Sequence, residues 1–199
     1  ELNMKGLLGA SFGNATFAFL MFTFLCTYAL SETPFIRRCA LGFITSRFAK
    51  KGAWSLVILF FASVLFIGSF ISPTVLFIIY LPIIEEMYSV LKLEKGSSTA
   101  SMLMVGLVIC TGVSSGMTPI AHVFPLMAMD FYEAATGLTI SYTSYMAFAI
   151  PVGLLTFLAM MLVFKFILKP NLLEISNMSL DEMKNEMTSM DKREKTILT

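Results

Sequence analysis

The sequence predicts an all-α polytopic membrane protein, with transmembrane helices, one re-entrant helical hairpin and one broken helix. Three observations carry this. Hydrophobic residues make up 57% of the chain and charged residues 14%, against about 25% charged residues in a soluble domain. Two runs, residues 53–84 and 97–129, hold 32 and 33 residues without Asp, Glu, Lys or Arg, yet each is interrupted near its centre by Ser, Thr, Gly and Pro. The remaining charges are segregated along the chain, five positive ones falling between residues 35 and 51 with no acid among them. The net charge of +1 comes with no basic stripe and so carries no nucleic-acid signature. Cys26, Cys39 and Cys110 follow no motif spacing and read as small core residues rather than disulfides or metal ligands.

Residues 1–34 supply the first transmembrane helix, on the scaffold side. It is apolar from residue 4 to 30, and Asn14 and Thr16, polar for lipid, face protein. Ser31-Glu32-Thr33-Pro34 breaks it, with the proline at a first-turn position. In residues 35–52, Arg37, Arg38, Arg47, Lys50 and Lys51 alternate with Phe35, Ile36, Ala40, Leu41, Phe43, Ile44 and Phe48 at close to helical spacing. This is an amphipathic helix in the membrane interface, cytoplasmic by its positive charge, with a solvated loop as the bland alternative.

Residues 53–96 form the hairpin. As one straight helix the run 53–84 would measure about 48 Å, beyond the roughly 30 Å of a bilayer core, and it is too short for two full spans. Two legs meeting at Ser72-Pro73 enter and leave by one face, and their tip must be buried in protein or line a wet cavity. Glu85 and Glu86 sit at the exit. Residues 97–140 form the broken transmembrane helix and an outer loop. This run is about 50 Å as a helix, and Gly116 and Pro119 interrupt it. Asp130 and Glu133 mark its outer end as a wetted loop.

Residues 141–169 cross back. Tyr142 and Tyr145 anchor the outer interface, Lys165 and Lys169 the inner one, and Pro151 kinks the helix between them. Residues 170–199 are polar and Met-rich, a cytoplasmic linker. Had residues 53–84 crossed once, the Lys-bearing end after 169 would fall outside; parity therefore favours the hairpin. The chain opens at Glu1 with no initiator Met or leader pattern, and it closes on Asp191-Lys-Arg-Glu-Lys as if leading into another span. A fragment of a longer protein is expected.

Two breaks at membrane depth free backbone groups that cost several kcal/mol each if unpaired in hydrocarbon. Secondary transporters use such breaks: carbonyls and hydroxyls take Na⁺, and half-helix N-termini face an anionic substrate. Ser72, Thr74, Ser114, Ser115 and Thr118 supply hard oxygen ligands here. The bland alternative is that Ser and Gly allow close helix packing and Pro merely kinks. His122, the single histidine, follows the second break. It is a candidate for binding substrate or carrying a coupling proton, or else a neutral histidine bonded to a neighbouring helix. No Ser/His/Asp arrangement, paired carboxylates or metal-spaced cluster lies at membrane depth, which argues against an enzyme.

Phe70-Ile-Ser-Pro-Thr-Val-Leu-Phe-Ile-Ile-Tyr-Leu-Pro82 resembles the first Ser-Asn-Thr motif of the divalent anion:sodium symporter family, within the ion transporter superfamily. Gly116-Met-Thr-Pro119 resembles that family's Gly-Thr-Pro-Pro stretch, and Asp191-Lys-Arg-Glu-Lys its lead-in to a later span. Pro73 stands where the family has its Asn, Ile120 replaces the second Pro, and Ala121 stands where a further Asn is often found. The resemblance implies the N-terminal half of an inverted-repeat transporter: a Na⁺-coupled carrier of di- or tricarboxylates. It would work by an elevator movement against a dimeric scaffold, as a homodimer of the full-length protein in a bacterial inner (plasma) membrane. A second, inverted half is expected elsewhere. Substrate is then expected at Ser72, Pro73, Thr74, Thr118, Pro119 and His122, and Na⁺ at Ser69, Ser72, Ser114, Ser115, Gly116 and Thr118. An inorganic-anion or proton-coupled permease of the same superfamily is the nearest alternative. A non-transporting membrane scaffold subunit is the alternative from another class.

Overall fold

The computed structural model describes residues 3–13, 15–31, 35–90, 93, 94 and 96–170. Asn14, residues 32–34, the side chains of Thr16 and Lys50, and the linker 171–199 lie outside the described residues. Every regular element within them is helical: α1 (Met4–Phe12), α2 (Ala15–Ser31), α3 (Phe35–Ile44), α4 (Ala53–Gly68), α5 (Pro73–Val90), α6 (Ser98–Met117), α7 (Val123–Thr136) and α8 (Tyr142–Val163). A short 3₁₀ turn precedes α4, and α8 runs on into a π turn, Phe164–Leu168.

Among the described residues, two helices are long and apolar enough to cross a membrane: Ser98–Met117, with mean hydropathy 1.7, and Tyr142–Leu168, with 2.4. The first apolar run, expected as one helix from residue 4 to 30, is divided. The Asn3 side chain caps α1 through the Gly6 N–H at 2.6 Å, and the Gly13 N–H closes it on the Gly9 carbonyl at 2.9 Å. Glycine and asparagine are both poor helix formers, which accounts for a stop at Gly13 ahead of Asn14.

Helix α4 lies at the centre, packed on α3, α5 and α6, and α6 packs in turn on α8. Its apolar residues run all round the helix: Leu56, Val57, Phe60, Phe61 and Val64 are buried in the protein, while Ile58 and Phe66 are exposed. Gly106 lets the Phe61 ring lie against α6, because a Cβ there would run into that ring. Between α4 and α5, the buried Tyr80 hydroxyl donates to Ser63 Oγ at 2.8 Å, and Ser63 Oγ donates onward to the Phe60 carbonyl at 2.6 Å. No donor in that chain is left over.

The apolar stripe of α3 is filled by protein, since Ile36, Ala40, Leu41 and Ile44 are all buried. Phe43 meets Phe66 of α4 with ring centroids 5.9 Å apart. Arg37 pairs with Glu86 of α5 at 3.5 Å. The segment before α4 and the far end of α5 therefore meet on α3.

Candidate functional site

Two interruptions separate the inner helices. The first covers Ser69 to Ser72, between α4 and α5, and the second covers Thr118 to His122, between α6 and α7. At the first, Ser72 starts α5: its side-chain oxygen accepts from the Val75 N–H at 3.4 Å and its carbonyl from the Leu76 N–H at 3.0 Å. Pro73 fits immediately after it, because a first-turn residue needs no N–H. At the second, Thr118 adopts an extended backbone (φ −134°, ψ 151°), the conformation a following proline imposes. His122 then caps α7, its Nδ1 accepting from the Phe124 N–H at 3.3 Å.

The interruptions touch each other. Thr118 Oγ1 donates to the Ser69 carbonyl and accepts from the Ile120 N–H at 3.3 Å. Close approach of α4 and α6 makes this reach possible. A Cβ on Gly68 would lie 2.9 Å from Ser114 Cβ and 2.6 Å from a Leu76 methyl, so Gly68 admits Ser114 of α6 directly beside Ser69. Ser69, Ser114 and Thr118 are all buried.

The direction of these bonds decides what the hydroxyls can do. Ser69 Oγ donates to the Leu65 carbonyl at 2.8 Å, Ser114 Oγ to the Thr111 carbonyl at 3.0 Å and Ser115 Oγ to the Gly112 carbonyl at 2.7 Å. A hydroxyl has one proton and two lone pairs. With the proton committed to a carbonyl, each of these oxygens offers lone pairs only, which suits a cation and not an anion. Ser72 is the converse case, since its oxygen accepts from Val75 and its proton remains to be given. One further oxygen fits the cation chemistry: Thr111 Oγ1 is buried with no hydrogen-bond partner, one turn before Ser114. Sequence reasoning passed over Thr111 because a threonine inside an apolar helix is ordinarily satisfied by its own backbone.

The expected residues are not all brought together. Ser69 and Thr118 line a cavity of about 310 Å³ with Met117, Ile150, Leu154 and Phe157. Ser115, Gly116 and His122 line a second, of about 300 Å³, with Phe124, Pro125, Ala128 and Tyr145. Ser72, Pro73 and Thr74 open α5 and line neither; Ser72 and Pro73 are half-buried, and Thr74 is exposed. Pro119 is buried within the second interruption. A third cleft, of about 490 Å³, separates Phe19, Phe22, Thr23 and Cys26 of α2 from Phe70, Ile71 and Ile120. Both interruptions thus present apolar residues towards α2.

Tyr145 belongs to the site although it reads in sequence as an interface anchor. Its hydroxyl donates to the Gly116 carbonyl at 2.6 Å, one of the last-turn carbonyls of α6 that have no partner within the helix. Beside it, Gly153 lets α8 close on α6, where a Cβ would stand 2.8 Å from Met117 Sδ. No three His, Cys, Asp or Glu side chains among the described residues are grouped to hold a metal ion.

A family model described as citrate transporter matches residues 3–197, and the chain belongs to that family. None of the curated proteins matches it.

Proposed function

We propose that this member of the citrate transporter family contributes half of a binding site for a small organic anion, a di- or tricarboxylate, with Na⁺ as the coupling ion. The observation that carries the reading is the bond from Thr118 Oγ1 to the Ser69 carbonyl: two interrupted helices meet at their broken ends. A cation is served by Ser69, Ser114 and Thr118, whose protons are already committed to carbonyls, and by Ser115, whose proton is likewise committed, with the neighbouring Gly116 carbonyl. The anion is served by the N-terminal ends of α5 and α7, where the positive dipole end favours negative charge, together with the Ser72 proton. Pro73 offers neither donor nor acceptor, so carboxylate contacts come from Ser72, Thr74 and backbone. Thr118, Pro119 and His122 complete the second half of this arrangement.

The Arg37–Glu86 contact supports the re-entrant reading of α4 and α5, since it draws the exit of α5 back to the segment from which α4 starts. That arrangement would let α4 to α7 move as a body past α2 in an elevator, with the apolar cleft between them as the sliding surface. The basic segment 35–51 and the tail 170–199 are then cytoplasmic, and the full-length protein is a dimer in a bacterial inner membrane.

Proton coupling is the second reading, favoured by His122 lining a cavity with Ser115 and Tyr145. Uptake of radiolabelled citrate and succinate by the reconstituted full-length gene product, under separate Na⁺ and H⁺ gradients, decides between them. Uptake driven by Na⁺ supports the proposal. Uptake driven by H⁺ alone replaces it with the His122 reading, and failure with both anions removes the carboxylate assignment.

A further inference from the structure

The Gly116 carbonyl is an acceptor with two claimants. It lies in the last turn of α6, where the carbonyls lack helical partners and the helix carries the negative end of its dipole. The cavity of about 300 Å³ at this point brings together Gly116, Ser115, His122 and Tyr145. Ser115 offers lone pairs only, because its proton is held by the Gly112 carbonyl at 2.7 Å. A cation entering the cavity would find this oxygen and would need the Gly116 carbonyl as well, but the Tyr145 hydroxyl already donates to that carbonyl at 2.6 Å.

We infer that Tyr145 is a placeholder for the cation: its hydroxyl caps the Gly116 carbonyl while the cavity is empty and yields it when the cation binds. The exchange costs nothing in satisfied groups. The carbonyl passes from a hydroxyl proton to a cation, and the freed hydroxyl turns its proton to water. Tyr145 therefore sets the affinity of the site from α8, a helix the sequence pattern gives no reason to associate with ion binding. This inference rests on the Na⁺-coupled reading above.

The test is a Na⁺ titration of thermal stability in detergent, with choline replacing Na⁺ at constant ionic strength, on the full-length wild type, Tyr145→Phe and Ser115→Ala. Removing the competing hydrogen bond should lower the Na⁺ concentration for half-maximal stabilisation about fivefold in Tyr145→Phe, the worth of one ordinary hydrogen bond. Ser115→Ala should raise it. A merely structural role for Tyr145 predicts a lower thermal midpoint in choline and an unchanged or raised Na⁺ requirement, and that result overturns the inference alone. Should Tyr145→Phe fail to fold, Ser115→Ala reads the same cavity, and an unchanged Na⁺ requirement there overturns the inference. A wild type indifferent to Na⁺ overturns the coupling reading and this inference together.

Discussion

The hydroxyl of Thr118 reaches across from the second helix interruption to the carbonyl of Ser69 in the first, 49 residues away in sequence. The bond pairs a backbone carbonyl of the first interruption with a buried hydroxyl of the second. Burial without this bond would cost about 1–3 kcal/mol for the orphaned group. The two breaks are therefore one structural unit, and residues from α4 to α7 contribute to it.

The close approach that permits this contact is set by Gly68. Replacement by alanine puts a methyl 2.9 Å from Ser114 Cβ and 2.6 Å from Leu76 Cδ2. Gly68→Ala is expected to destabilise the protein by about 1–3 kcal/mol, the usual cost of overpacking. Adding Ser114→Gly removes the Ser114 atoms in the way, leaving only the Leu76 methyl to shift, and should restore part of the loss. Thermal midpoints of the two single variants and the double variant check this; strict additivity would contradict it.

Much of this arrangement was legible in the sequence, and the illegible part has a physical cause. Ser72-Pro73 and Thr118-Pro119 announce interruptions because proline constrains its own φ and the residue before it. That constraint is local, which is why the second interruption starts at Thr118 while Ser114, Ser115 and Gly116 stay in the last turn of α6. Their hydroxyls bond back to carbonyls three residues earlier and leave the helix intact. The pairing of the interruptions and the bond from Tyr145 to Gly116 were not legible. Contacts 49 and 29 residues apart leave no periodicity, and in an apolar helix the faces towards lipid and towards protein look alike. The division of the first apolar run at Gly13 was likewise hidden, because hydrophobicity alone does not report where the helix stops.

Sidedness tests the hairpin. Arg47 and Glu85 are exposed, and the re-entrant reading puts both on one face of the membrane with Asp130 on the other. Single cysteines at these three positions, in a protein with its native cysteines replaced, should react with a membrane-impermeant maleimide in that pattern. Glu85→Cys labelling from the same side as Asp130→Cys would contradict it.

The Cys39 thiol on α3 is pushed up by partial burial, which disfavours the thiolate. A folded pKa above the unfolded one adds stability that is fully present below the unfolded value and lost as pH rises through the folded value. In a variant keeping Cys39 as its single cysteine, alkylation by iodoacetamide should be slower in the native protein than in SDS at the same pH. The native rate should also climb at a higher pH. Equal profiles would mean that α3 is not docked against the core.

Citrate uptake by the reconstituted full-length protein, compared across wild type, Thr118→Ser and Thr118→Val, shows whether the joined interruptions form a binding site. Valine keeps the shape of threonine and removes the hydroxyl that joins the two interruptions, whereas serine keeps it. Uptake is expected in the wild type, near-normal uptake in Thr118→Ser and a loss of about tenfold or more in Thr118→Val. Wild-type uptake in Thr118→Val would show that the joined breaks are packing and not a binding site.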